Sequence, residues 1–253
     1  MTDDSFGFAL NTEVRAAAEA CARGMHGYCY WRADAMAALG KAAELDPGFA
    51  MPRLAIGWIL HLARSDAYRG KVDSLLAETA AMAPMDTRER AYRDALVAAS
   101  AGDAISAATA LEGWLLSNPT DLFAHRIVQF ELFWCGRAAW MRDLTELAAP
   151  AWSRDTPGYG MFLSCRAFAN EEAGDYGAAE RFGRDAVAWN LPIRGAPMQW
   201  PTCSSCKGAP TWAQSGYKAL AATGKTPIRS NITCGGIWVC SCWSKGRTMP
   251  FWT

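Results

Sequence analysis

Cysteine and histidine have the widest range of chemistry in this sequence, and they lie in different parts of the chain. All three histidines fall within residues 1–190, whereas five of the nine cysteines fall within residues 191–253. The five are Cys203, Cys206, Cys234, Cys240 and Cys242. The first two form a Cys-x-x-Cys motif, whose thiolates can bind one tetrahedral zinc ion. A Cys-rich, zinc-binding tail is therefore one hypothesis.

The rest of this tail fits a metal site poorly. The other three cysteines have spacings that do not form a zinc knuckle, and residues 191–253 contain no histidine. Seven basic residues with interleaved tryptophans would also suit a nucleic-acid surface. Against this, the whole chain carries 25 Lys+Arg and 25 Asp+Glu, so it has no excess positive charge for phosphates. We expect no metal and no nucleic acid to be bound.

The histidines and cysteines of residues 1–190 do not form a familiar catalytic set. We expect His61 and His125 to be core-facing rings, while His26, three residues before Cys29, leaves a His/Cys pair as an alternative. There is no Gly-rich phosphate loop and no Gly-x-Ser-x-Gly elbow. The sequence therefore predicts no catalytic residue and no cofactor.

The composition of the chain also indicates the cellular compartment in which the protein is located. No window approaches the continuous apolar length that a membrane span needs. The acidic amino end has no basic region followed by an apolar one, unlike a secretory signal. Four scattered cysteines in residues 1–190 suit a reducing environment. We expect a cytoplasmic protein that does not enter the membrane.

Regular helix breakers divide residues 1–190 into units. Prolines recur at intervals of 37, 35 and 38 residues, at Pro47, Pro84, Pro119 and Pro157. Turn residues alternate with them at Asp66, Gly102, Gly136 and Gly174. Between the breakers the sequence is rich in Ala, Leu, Glu and Arg, which favour helix. This pattern predicts an all-α fold, a solenoid of about five helical hairpins.

Small residues in these units carry a family resemblance. Gly174-Asp175-Tyr176, with Ala179 and Ala186, resembles the second half of a tetratricopeptide repeat, and Asn118-Pro119 resembles its closing turn. Residues 118–143 and 150–190 are similar to the tetratricopeptide repeat protein 38 family. The resemblance covers about residues 20–190 and implies a tetratricopeptide-like solenoid, but most first-helix Trp and Tyr positions of the generic repeat are not aromatic here.

The composition changes abruptly after Asn190. Residues 191–253 carry seven basic residues and no acidic one, leaving residues 1–190 with a net charge of −7. The repeat phase requires a proline after Asn190, but the chain has Leu191. Restoring one nucleotide there, with permitted codons, gives PADPWGAHAVAHVL, which supplies the proline and is similar to the next repeat of the family. We interpret residues 1–190 as a truncated solenoid and residues 191–253 as a frameshifted, irregular or disordered, non-native tail.

The concave groove of such a solenoid is the predicted functional surface, lined by the first helix of each unit. The stripe in the fourth unit is Phe123, Arg126, Phe130 and Phe133, and that in the fifth is Met161, Ser164, Phe168 and Glu171. Aromatic rings with one arginine suit a peptide or helix; the alternative is that they pack against the neighbouring unit. We expect a non-enzymatic protein-binding scaffold, impaired by the loss of C-terminal repeats. The other hypothesis is an enzyme or metal protein whose His-rich site lay in those repeats.

Overall fold

The computed structural model describes residues 2–82 and 84–190, which form ten α-helices and a small antiparallel β-hairpin. The strands are β1 (Thr2–Asp3) and β2 (Ala9–Leu10). The helices are α1 (Arg15–Cys29), α2 (Ala35–Leu45), α3 (Ala50–Leu62), α4 (Arg69–Ala80), α5 (Thr87–Ser100), α6 (Ala104–Ser117), α7 (Leu122–Trp134), α8 (Ala138–Ala148), α9 (Tyr159–Glu172) and α10 (Tyr176–Asn190). Short 3₁₀ turns lie at Asp66–Tyr68 and Ala149–Ala151.

The all-α class is confirmed, and the helix breakers lie where the spacing predicts them. Each of the four periodic prolines lies just before a first helix (α3, α5, α7 or α9), and each turn residue lies between the two helices of a hairpin. Together with α1 and α2, these make five hairpins. None of the described helices is long and apolar enough to cross a membrane. The irregular tail, the frame change and the Cys-x-x-Cys motif fall on residues 191–253, outside the described part of the chain.

Three of the hairpins turn through a glycine in the left-handed conformation. Their φ angles are +85° at Gly102, +65° at Gly136 and +85° at Gly174. In each case the next residue donates its N–H to a carbonyl five residues back, at 2.8 to 2.9 Å. This is the Schellman termination, in which glycine avoids the steric cost of the left-handed region.

The other two hairpins place a large side chain at the same turn position. Trp31, after α1, has φ +57°, and Arg64, after α3, has φ +52°. At the first of these turns, the N–H of Arg32 donates to the carbonyl of Gly27 at 2.8 Å, as in the glycine turns. A left-handed conformation costs a non-glycine residue about 1–2 kcal/mol, so these two side chains are held at an energetic cost.

Small residues allow close helix contacts within the hairpins. Ala179 and Ala186 of the predicted repeat are buried, as are Ala35, Ala42 and Ala107 of the earlier hairpins. Helices α1 and α2 approach closely at Gly24, where a Cβ would lie 2.5 Å from the Cγ of Leu39. A residue with a Cβ at position 24 would therefore displace the side chain of Leu39.

Helix α7 is buried on most of its surface because helices far apart in the chain pack against it. It contacts α6, α8 and α9 near it in sequence, and also α1 and α3. In a simple solenoid each unit contacts only its neighbours, but here the first and fourth hairpins meet. Here α1 and α3 pack against α7, the helix that carries the fourth-unit stripe of the predicted groove.

A buried ionic network fixes the N-terminal end of α7. The guanidinium of Arg88 on α5 donates through Nε and Nη2 to both carboxylate oxygens of Asp121, at 2.8 and 3.0 Å, and through Nη1 to Asp4 at 2.7 Å. Asp121 also caps α7 by accepting from the N–H of Ala124 at 3.2 Å. The hydroxyl of Tyr92 donates to the same carboxylate at 3.0 Å. The network thus joins the β-hairpin, α5 and α7.

Two helical glycines give a matched test of the α1–α2 contact. Gly24→Ala must displace Leu39 and should lower the free energy of unfolding by about 1–3 kcal/mol. Gly40→Ala, on α2, meets nothing within 4 Å and should raise it by about 0.5–1 kcal/mol. Urea unfolding measures both, and equal effects of the two substitutions would contradict the packing described here.

Candidate functional site

The predicted groove stripe is divided between the core and the surface. Five of its members are buried, namely Phe123, Arg126, Met161, Ser164 and Phe168. Phe130, Phe133 and Glu171 are partly exposed. Phe123 shows why: its ring stacks on Tyr92 of α5 at 5.8 Å and meets the edge of Tyr28 of α1 at 5.4 Å. These five residues pack inside the protein, which is the alternative that the sequence left open.

The part of the stripe that reaches the surface continues into a row of aromatic rings. Trp31 meets Phe130 edge to face at 6.0 Å, and Phe133 lies 5.5 Å from Trp134. Phe130, Phe133 and Trp134 share one face of α7, because they are three and four residues apart. Trp31 is 49% exposed and Trp134 is 47% exposed. We call these four residues the aromatic patch.

Arg126 lies beneath the aromatic patch with its charge incompletely compensated. The Cζ atom is 5.0 Å from the ring centroid of Trp31 and 4.9 Å from that of Phe130. The side chain is 1% exposed, and its Nε and Nη2 atoms have no hydrogen-bond partner among the described residues. Stacking on aromatic rings contributes about 2 kcal/mol when desolvated, less than the several kcal/mol that burial of an ion costs.

A second polar group adjoins the aromatic patch. Glu131, the next residue after Phe130, is buried, and its Oε1 accepts from Nη2 of Arg64 at 2.8 Å. Nε2 of His61 lies 3.0 Å from the same oxygen and 3.1 Å from Nη1 of Arg64. The Oε2 of Glu131 is buried without a partner in the described structure. His61 thus lies against the Arg64–Glu131 ion pair that joins the end of α3 to α7, which fits its predicted structural role.

Both large turn residues point to α7, a feature that sequence reasoning missed. Trp31 contacts Phe130 and Arg126, and Arg64 contacts Glu131. The signal was present in the spacing, because Trp31, Arg64 and Gly102 are 33 and 38 residues apart and continue the period of the glycine turns. A search for periodic glycines alone misses these two turns, because Trp31 and Arg64 occupy the position of the glycine.

The other two histidines are both packed among rings. His125 is buried, as predicted, and its Nε2 is 2.9 Å from the carbonyl of Pro119. His26 stacks on Tyr30 at 4.3 Å, and burial lowers its pKa. Its possible partner Cys29 is buried, which raises the thiol pKa well above the usual value. That thiol stays protonated at neutral pH, so the pair lacks the thiolate that a nucleophile requires.

The remaining thiols of the described region are also kept in the protonated form. Burial raises the pKa of Cys21, Cys135 and Cys165. Within residues 2–82 and 84–190, no three His, Cys, Asp or Glu side chains are grouped closely enough to hold a metal ion. The aromatic patch and its surroundings present aromatic surface, a buried cation and a neighbouring carboxylate.

Comparison with known proteins gave no match: no family model, no curated protein and no solved structure is similar to this chain.

Replacement of the two buried arginines, Arg88 and Arg126, by methionine should change the stability of the fold differently. Arg88→Met leaves the carboxylates of Asp4 and Asp121 buried without their cation and should destabilise the fold by about 3–5 kcal/mol. Arg126→Met removes a cation that has no carboxylate partner and should be neutral or stabilising. Thermal and urea unfolding measure the difference. An equally large loss in both variants would mean that Arg126 has an undetected partner.

The stability of the fold should depend on the protonation of His125. Burial lowers the pKa of this ring from 6.5 to about 4, so between these pH values the unfolded chain binds a proton that the folded chain does not. The contribution is complete above pH 6.5, falls as the pH falls, and about 3 kcal/mol is lost near pH 4.

The His125→Gln variant isolates this effect when urea unfolding is measured from pH 7 to 4. Burial of Glu171, with the adjacent charge of Glu172, raises the pKa of Glu171 to about 7, which gives a pH dependence of opposite sign in both proteins. Subtracting the free energy of unfolding of the variant from that of the wild type at each pH cancels the contribution of Glu171. Parallel pH curves would contradict the assignment to His125.

Proposed function

We propose that this chain is a non-enzymatic, tetratricopeptide-like scaffold that binds a segment of another protein on the aromatic patch. The observation that carries the proposal is the half-exposed row of rings above a buried arginine. The half-exposed indole of Trp31 lies over the buried guanidinium of Arg126, and Trp and Arg are residue types that dominate binding energies at interface hot spots. The patch keeps Phe130 and Phe133 of the predicted groove and adds Trp31 and Trp134.

The backbone at Trp31 supports the same proposal. Glycine would end α1 at no steric cost, as it ends α5, α7 and α9. A strained position that persists is most often found at a functional site. The cost at Trp31 places an indole over Arg126 and beside Phe130, in the middle of the aromatic patch.

The finer expectations belong to the same proposal. We propose membership of the tetratricopeptide repeat protein 38 family, a cytoplasmic location, and residues 191–253 as a frameshifted tail that impairs the protein. Five hairpins, separated by periodic prolines and turning through glycine in three cases, support the repeat assignment. They differ from a simple stack in the contact between α1 and α7.

Peptide selection on the full chain tests the binding function. We expect a phage-displayed library of random peptides, each of about twelve residues, to yield apolar sequences that compete for one site. Trp31→Ala should weaken the selected peptides by about 30-fold, as expected for a hot-spot tryptophan. Leu147→Ala, which removes a 61% exposed side chain on α8, is the control and should leave binding unchanged.

Trp31→Gly separates binding from folding. It should lose binding as Trp31→Ala does, yet be about 1 kcal/mol more stable than that variant, because glycine tolerates the left-handed turn. Fluorescence polarisation of labelled peptides and urea unfolding provide the two readouts. If no peptide is selected, or if binding survives both substitutions, the proposed function is wrong.

A further inference from the structure

The hairpin segment, defined as residues 2–12, lies against the helices in the way that an extended peptide lies in a binding groove. From residue 4 to residue 12, its side chains alternate between the interior and the solvent. The residues that point inward are Asp4, Phe6, Phe8, Leu10 and Thr12, of which all but Phe8 are buried. Every residue between them is exposed. This is the period of two of an extended chain, whose alternate side chains enter the pockets of a peptide-binding groove.

Aromatic rings and a glycine form the apolar part of this groove, which we call the hairpin groove. The ring of Phe6 stacks on His26 of α1 at 6.1 Å. At the start of α9, a Cβ on Gly158 would lie 3.3 Å from Cδ1 of the same phenylalanine, so the glycine leaves the ring its space. Phe8 lies 6.4 Å from Trp114 of α6. The hairpin groove therefore accommodates two large apolar side chains at alternate positions.

A buried cation forms the polar part of the hairpin groove. Nη1 of Arg88 donates to Asp4 at 2.7 Å, while Nε and Nη2 hold Asp121 of the helical hairpins. The Cζ atom of this guanidinium is also 4.8 Å from the ring centroid of Phe8. Arg88 thus directs one of its donors to a carboxylate that comes from outside the helices, and such charge-assisted hydrogen bonds are the strong ones.

Side chains, rather than the backbone, attach the hairpin segment to the helices. Among the described residues, the backbone-to-backbone hydrogen bonds of residues 2–12 stay inside the segment. The helices that line the hairpin groove also pack directly on one another, since α1 contacts α7 and α5 contacts α6. Release of the segment would therefore break no backbone hydrogen bond of a helix and would leave these helix contacts in place.

We propose that the hairpin groove is a second recognition site, for an extended segment of another protein that carries an aspartate and, two and four residues after it, large apolar side chains. The hairpin segment has the same pattern in Asp4, Phe6 and Phe8, and it occupies the groove as an internal competitor. An incoming aspartate takes the place of Asp4 on Arg88, so the buried guanidinium keeps its partner. This site is separate from the aromatic patch and does not depend on the function proposed for that patch.

The charges of the chain favour this occupant over two others. Residues 191–253 contain no acidic residue, so they cannot supply the carboxylate that Arg88 holds. Residues 1–190 carry a net charge of −7, which repels a polyanion such as a nucleic acid. A mostly apolar segment with a single carboxylate matches both the rings and the one available donor of Arg88.

Strain in the hairpin segment of the full chain should strengthen the binding of a free peptide. The probe is a labelled peptide with the sequence of residues 2–12, and its apparent affinity is reduced by the fraction of molecules whose groove is already filled. Gly7 has a φ of +87°, and a Cβ there would meet nothing within 4 Å. Gly7→Ala therefore strains the attached segment alone, and it should tighten peptide binding about 10-fold in fluorescence polarisation.

Gly102→Ala is the matched control for this substitution. Gly102 has a φ of +85° and equally open space, but it lies in the turn between α5 and α6. The control should therefore carry a similar strain and leave the affinity for the peptide unchanged. Asp4→Asn should have opposite effects in the two partners: in the full chain it should tighten binding at least 10-fold, and in the peptide it should weaken binding about 30-fold.

Three results would overturn the assignment to the hairpin groove. They are equal binding by the wild type and Gly7→Ala, no binding to either, and an affinity that ignores Asp4→Asn in the peptide. Trp134→Ala, in the aromatic patch, should leave binding of this peptide unchanged, and a loss there would place the peptide on the patch instead. A failure in these measurements leaves the Trp31→Ala test of the proposed function unaffected.

Phage-displayed peptides selected on the Gly7→Ala chain test the chemistry of the partner. Sequences that the peptide of residues 2–12 displaces should share an aspartate with large apolar residues two and four positions after it. Displaceable sequences without this pattern would overturn the proposed partner.

Discussion

The buried guanidinium of Arg88 joins the β-hairpin to the start of α7. It holds Asp4, which in turn accepts from the N–H groups of Phe6 and Phe8 and so shapes the β-hairpin. It also holds Asp121, the cap of α7, which receives Trp114 from α6 as well. Both carboxylates are fully buried, so each depends on the same cation for its charge. The position of α7, and with it the aromatic patch, therefore depends on Arg88.

Helix α7 has different roles at its two ends. Its first turns are locked by Asp121 and by the packing of Phe123 against α1 and α5. Its last turn carries the half-exposed rings of the aromatic patch. A rigid, buried N-terminal half thus holds the binding surface in a fixed orientation, which reduces the entropy that binding must overcome. The strained turns at Trp31 and Arg64 complete the site from two other helices.

The helix boundaries and turns of this fold could be predicted from the sequence, whereas the contact between α1 and α7 could not. Prolines and glycines end helices through their own backbone chemistry, so Pro119 and Gly136 bound one hairpin correctly. The meeting of α1 with α7 depends on how small rotations accumulate over three hairpins, and periodicity does not contain that information. The predicted groove stripe lies on α7 and α9, where Phe123 and Met161 are in the core.

The candidate site was only partly predictable for a similar reason. Arg126 and Phe130 follow from their phase on the helix, while Trp31 enters through a turn where the general rule favours glycine. The Arg88–Asp4 pair joins residues 84 positions apart, and nothing in either local sequence indicates the other.

The unequal turns also matter for anyone who would redesign this chain by averaging its hairpins. A consensus over five repeats would place glycine after every first helix, because three of the five already have it. Such a sequence would gain stability at two positions and become a more regular array. It would also lose the indole and the guanidinium that make the first two hairpins different from the rest. The two turns that differ from the repeat, at Trp31 and Arg64, are the ones whose side chains contact α7.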